Sequence, residues 1–258
     1  MGFPYNSILN IPERNVLDKK LTKAFFLKNF SLSASEKKTL NTSIQQMSWL
    51  ASIKPVTANI PAVINDEYKY EEIQVMVCTV TDNTLDTHAE KCIQLFQKYI
   101  PYQMLVIVED SNEYQVNVCD KRINKIDTSK RTIERYFNTK TLPKLYKNDL
   151  TDSFFKALDF GNLDKTNLEL LYKGYIQAVV QFQAASITGS YRKRTNARTI
   201  EDMERLEAIE QLQLDILSLT NQIKRVSQLN EKVQLNIQIK NKRDKIEALK
   251  QMLVDNGQ

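Results

Sequence analysis

The chain has 258 residues, 42% of them hydrophobic and 26% charged, and its 36 Lys and Arg against 31 Asp and Glu leave a net charge of +5. That profile suits one globular domain with an appendage and excludes a histone-like polycation. Five Gly and six Pro argue against a loop-rich sandwich, a disordered chain and a glycine-cradled nucleotide loop.

The rare residues narrow the chemistry. Cys78, Cys92 and Cys119 have no metal-clip spacing, so no structural zinc site is expected. An odd number of thiols and a start without a charged region or apolar run point to a reducing cytoplasm, with the thiols as small buried hydrophobes. No apolar run approaches the roughly 20 residues of a bilayer span, so no membrane partner is expected. His88 reads as a surface residue in the first turn of a helix.

In chain order, Leu17, Leu21, Phe25 and Phe26 predict a first helix over residues 17–30. Ser33 with Glu36 is a capping box, and it predicts a helix running to about Ser52 that buries Leu40, Ile44, Met47, Trp49 and Leu50. Pro55 ends it. Residues 71–80 alternate Ile73, Val75 and Val77 against Gln74, Met76 and Cys78, which is strand behaviour. A helix follows over 84–99, then a doubly buried strand over 104–108, a turn at Ser111-Asn112 and a returning strand over 114–118.

Residues 121–147 carry nine basic side chains, Lys121, Arg122, Lys125, Lys130, Arg131, Arg135, Lys140, Lys144 and Lys147, against Asp127 and Glu134. Tyr136, Phe137 and Tyr146 are interleaved, so the stretch reads either as a phosphate-tracking surface or as a solvated connector whose rings pack on the sheet. A helix over 168–187 ends at Gly189. The linker 190–198 holds Arg192, Lys193, Arg194 and Arg198 with no acid, a second place to meet an anionic partner.

In the tail, Ile209, Leu212, Ile216, Leu219, Ile223 and Val226 recur at three, four, three, four and three, a coiled-coil seam. Asn230 and Lys240 interrupt the pattern before Ile246, Leu249 and Leu253 restore it. So narrow an apolar stripe calls for another helix: a partner's, a second copy's, or this chain's own return segment. The expected organisation is an α/β (α+β) domain with a small mixed sheet over 1–120, a basic connector and helical region over 121–189, a basic linker over 190–198, and a C-terminal coiled coil or helical hairpin over 199–258.

One constellation hints at catalysis. Glu72 and Gln74 share a strand face six residues after Asp66, and restriction-type nuclease cores pair an Asp with Glu-x-Lys, Gln sometimes replacing the Lys, around Mg²⁺. An acid near the start of a strand is commonplace, so no catalytic or metal-binding set is assigned. Asp66, Glu72 and Gln74 stand as the nuclease alternative, the one reading that calls for Mg²⁺ or any cofactor.

Trp49-Leu-Ala-Ser-Ile-Lys-Pro-Val-Thr-Ala-Asn-Ile60, Glu72-Ile-Gln-Val75, Tyr99-Ile-Pro-Tyr102 and Gln228-Leu-Asn-Glu-Lys-Val-Gln-Leu-Asn236 resemble an uncharacterised bacterial family, the domain of unknown function four-three-nine-one. The resemblance covers nearly the whole chain and brings no catalytic residues with it. It implies genes beside DNA methyltransferases and helicases in restriction or phage-defence clusters, and so an accessory subunit. The expected function is non-enzymatic assembly: the body docks on a methyltransferase or helicase, and the tail pairs with that partner or with a second copy. Direct, nonspecific DNA binding through the two basic stretches is a further alternative.

Overall fold

The computed structural model describes residues 3–146 and 148–254. The first part of the chain runs α1 (Tyr5–Leu9), β1 (Val16–Leu21), α2 (Lys23–Asn29), α3 (Ala34–Lys38), β2 (Ile44–Ile53), α4 (Pro55–Ala58), β3 (Val63–Ile64) and β4 (Lys69–Tyr70). Then come β5 (Ile73–Val80), α5 (Leu85–Tyr99), β6 (Gln103–Glu109), β7 (Glu113–Ile123), β8 (Arg131–Asn138) and β9 (Leu142–Pro143). Four helices follow: α6 (Asp149–Leu158), α7 (Leu168–Thr188), α8 (Asn196–Ile223) and α9 (Leu229–Val254).

Seven strands make one sheet in the order β1-β2-β5-β6-β7-β8, with β9 paired to β7. β5 and β6 run parallel, from Ile73 opposite Gln103 to Thr79 opposite Glu109, and α5 is the crossover that parallel neighbours require. The other pairs of this sheet are antiparallel, so the sheet is mixed, as expected. The β6–β7 turn is pinned by Asp110, whose Oδ1 accepts from the Asn112 and Glu113 amides at 2.9 Å each.

α5 buries Leu85, Ala89, Cys92, Ile93 and Phe96 against Met76, Cys78 and Val80 of β5 and Met104, Val106 and Val108 of β6. Removing a ring such as Phe96 from a core of this kind costs about 3–5 kcal/mol. All three cysteines are buried free thiols. The Tyr172 hydroxyl of α7 reaches backbone on two strands, accepting from the Cys119 amide and lying 2.8 Å from the Cys119 carbonyl and 3.1 Å from the Met104 carbonyl, which share its single proton.

Two expected helices are corrected. Residues 17–30 divide into the edge strand β1 and the short α2, which Thr22 caps by accepting from the Phe25 amide at 3.2 Å. The spacing of four between Leu17 and Leu21 is an even number, so it suits a strand as well as a helix. The Ser33–Glu36 capping box is present in both directions, but α3 lasts five residues and loosens into a π-turn over Thr39–Ser43. Residues 44–53 are then β2, between β1 and β5. Register shifts at Ile44/Gln46 and Trp49/Ala51 each place an extra residue in this strand. Ile44, Met47 and Leu50 are therefore all buried at intervals of three, which imitates a helical period.

The stretch 121–147 contains the end of β7, all of β8, and β9, joined by loops. The chain divides into two compact units, residues 1–179 and 180–258, and the division falls within α7. Among the described residues no helix is long and apolar enough to cross a membrane.

Candidate functional site

The nuclease alternative rests on Glu72. Its Oε1 accepts from the Ser52 hydroxyl at 2.5 Å and from the Gln74 amide, and Lys54 Nζ lies 3.3 Å away. Glu72 and Gln74 do meet, as strand alternation predicts, but their companions are a hydroxyl and an ammonium. Asp66 lies in the exposed turn between β3 and β4 and takes no part in this group. Among the described residues no cluster of three or more His, Cys, Asp or Glu side chains is placed to hold a metal ion.

The basic stretch is dispersed by the sheet. Lys121 is fully buried, and its ammonium donates to the Ile100 carbonyl at 2.9 Å and the Tyr102 carbonyl at 2.8 Å. Burial, aided by the Arg131 charge, pushes its pKa down to about 8. Lys121 thus ties the α5–β6 loop to β7 and is withdrawn from any phosphate-tracking surface. Arg122 pairs with Glu134 at 2.9 Å and Lys130 with Asp127 at 2.9 Å. Arg131 donates to the Thr128 and Lys130 carbonyls. Arg135 stands on β8 opposite Asp120. Lys144 pairs with Glu109 at 2.7 Å, and Lys147 lies outside the described residues. Phe137 is core, whereas Tyr136 and Tyr146 are exposed.

The linker arginines close on the end of α9. Arg192 donates to the Val254 carbonyl at 3.0 Å, Arg194 to the Leu253 carbonyl at 2.7 Å, and Arg198 to the Met252 carbonyl. Cations suit these positions, because the last carbonyls of a helix lack intrahelical donors and carry the negative end of its dipole. Asp202, 1% exposed, organises the cluster through Arg194, Arg198 and Arg205 at 3.4, 3.1 and 3.1 Å. Lys193 is exposed. Sequence reasoning missed Asp202, although its spacing of four from Arg198 and three from Arg205 was visible.

In the second unit, Ile209, Ile246, Leu253 and Ala184 form a buried cluster, with Leu206, Leu212, Ile216 and Leu249 packed on it. Leu219, Ile223 and Val226 of the predicted seam are half-buried. On α9 the shielded apolar residues are Leu235, Ile239, Ile246, Leu249 and Leu253. That seam is out of phase with the one on α8. Extending the α8 spacing would select Asn230, Val233, Ile237 and Lys240, and all four are exposed. The turn between the helices resets the phase, which explains the apparent interruption. Asp215 of α8 meets Lys242 of α9 at 2.6 Å.

Opposite these seams, apolar side chains remain uncovered. Leu214 is 55% exposed and Leu217 59% on α8, and Val233 and Ile237 are about half exposed on α9. Leu214 is two residues from both Leu212 and Ile216, about 200° around the helix, so it points away from the seam. Ile237 bears the same relation to Leu235 and Ile239.

The chain matches a family model described as Domain of unknown function (DUF4391) over residues 9–246. The chain belongs to this family. The DUF4391 match covers the whole mixed sheet and extends through α8 into α9, so both compact units contribute to the family's sequence pattern. No curated protein and no solved structure matches the chain.

Proposed function

We propose that this DUF4391 protein is an accessory, non-enzymatic assembly subunit of a bacterial methyltransferase- or helicase-type restriction or phage-defence system, working in the cytoplasm. In this reading α8 and α9 form a helical hairpin that fills its own seam. Contact with the partner is then made by the outer face of α8, through Leu214 and Leu217.

The observation that carries the proposal is this pair of leucines, exposed on a helix whose seam residues Ile209, Leu212 and Ile216 pack in a cluster with Ile246, Leu249 and Leu253. A two-helix unit with a charged seam residue, Lys242, and uncovered leucines behind it has the makings of a larger helical bundle. The nuclease alternative draws no support from Glu72, whose carboxylate is engaged by Ser52, Gln74 and Lys54. The DNA-binding alternative loses Lys121 to the core, and Arg192, Arg194 and Arg198 to the α9 terminus.

The test is co-purification of the tagged full chain with the methyltransferase and helicase products of neighbouring genes, with the mass read by light scattering. A stoichiometric complex supports the reading. A chain that binds neither product, alone or as a self-associated dimer, contradicts it.

A further inference from the structure

The edge strand β8 and helix α5 enclose a cleft that the assembly reading does not use. About 420 Å³ in volume, it is bounded by Tyr136 and Ile133 of β8, Lys91 and Lys98 of α5, and Glu36 and Thr39. That volume lies within the range of small-ligand sites. Lys91 and Lys98 are seven residues apart, two helical turns, so both stand on one face of α5.

The groups differ in how far they are engaged. Lys98 is paired with Glu36 at 2.7 Å, and the Tyr99 hydroxyl donates to the same carboxylate at 2.9 Å. Burial works to raise the Glu36 pKa. Lys98, the Ser33 amide and Tyr99 outweigh it and bring it down to about 2, so Glu36 is a permanent acceptor. Lys91 is exposed and, among the described residues, enters no ion pair. Tyr136 shows about a third of its surface at the sheet edge.

The geometry points to a ribonucleotide in this cleft, its base on the Tyr136 ring, its sugar hydroxyls on Glu36 and its phosphate on Lys91. Each assignment follows from the group present. An exposed tyrosine face is a stacking platform for any base. A fixed carboxylate accepts from ribose hydroxyls, the role an acid plays in dinucleotide sites. An unpaired ammonium takes a phosphate as a point charge. Glu36 beside the cleft disfavours a bare polyanion, and Tyr136 and Ile133 add apolar surface that inorganic phosphate would leave unused. The inference is independent of the assembly reading, because every lining residue lies within residues 1–179.

The experiment is calorimetric titration of the full chain with adenosine monophosphate, its 2′-deoxy analogue, inorganic phosphate and a short single-stranded RNA. Adenosine monophosphate should bind more tightly than about 1 mM, severalfold better than the deoxy form and better than phosphate. Lys91→Ala and Tyr136→Ala should each weaken it roughly tenfold, and Tyr136→Phe, which keeps the ring, should not. RNA binding more tightly than the mononucleotide, with the same sensitivity to both variants, would place the nucleotide in a strand. Tighter mononucleotide binding would make it a free ligand. Absence of binding, affinity unchanged by both alanine variants, or equal affinity for phosphate and the deoxy form overturns the inference.

Discussion

Asp215 and Lys242 stand 27 residues apart in the chain and 2.6 Å apart in space, joining α8 to α9. Lys242 occupies the seam position between Ile239 and Ile246, where an apolar residue would pack. Both side chains are about a third exposed, so the pair itself contributes at most about 1 kcal/mol. A polar residue in a seam typically specifies register at some cost in stability. Lys242→Leu should therefore raise the thermal midpoint of the helical unit, and Asp215→Lys should lower it slightly. Circular dichroism melts of the full-length variants check both directions; a lower midpoint for Lys242→Leu would contradict this packing.

Asp202 is the buried acid shared by Arg194, Arg198 and Arg205, and the last two also pair with the exposed Glu201. Replacing it with Ala removes the buried counter-charge that these partly buried guanidinium groups share and should destabilise the helical unit by about 3 kcal/mol. Asp202→Asn keeps the shape without the charge and should cost a similar amount. A chemical-denaturation series on the three proteins measures the effect. A loss below about 0.5 kcal/mol, typical of a surface change, would contradict the role of Asp202.

Lys121 makes stability depend on pH. Its folded pKa of about 8 lies below the ordinary lysine value, so between about pH 8 and 10.5 the unfolded chain holds a proton that the folded chain has released. Stability from this group therefore rises with pH across that window, by no more than about 3 kcal/mol. Buried tyrosines such as Tyr70 and Tyr114, and the Cys119 thiol, are pushed up by burial and act in the opposite direction above pH 8.5. The clean observable is the difference between the unmodified protein and Lys121→Met, where those contributions cancel. The advantage of the Met variant should be greatest at pH 7 and shrink toward pH 10; a flat difference would contradict the assignment.

Glu72 serves as a structural acceptor joining β2 to the start of β5. Glu72→Ala should cost about 1–2 kcal/mol through the partners it leaves behind. It should leave any Mg²⁺-dependent DNA cleavage by the purified protein and its partners unchanged. Cleavage abolished by this one substitution would restore the nuclease reading.

The legible parts of the fold were those in which period and burial agree. β5 and β6 are strand-length runs buried on both faces and α5 keeps a helical stripe, so all three emerge from the residues alone. β2 was illegible because its two register shifts turn a period of two into an apparent period of three. On α9 the sequence reading picked out Ile246, Leu249 and Leu253, which are shielded, but not Leu235 and Ile239, because the turn at 224–228 shifts the phase away from the α8 spacing. Charge was the least legible property at the candidate sites. Whether Lys121 faces solvent or two carbonyls depends on partners 21 and 19 residues away, and whether Arg194 faces a phosphate or the end of α9 depends on one 59 residues away.

The central claim is that the outer face of α8 docks the chain on its partner. The direct test is the affinity of the full chain for the co-purifying methyltransferase or helicase, compared with a Leu214→Glu/Leu217→Glu double variant. Both positions are exposed, so the variant should keep its helicity and melting midpoint. If these leucines anchor the interface, affinity should fall about 100-fold, roughly 3 kcal/mol. Unchanged affinity in a folded double variant would contradict the account.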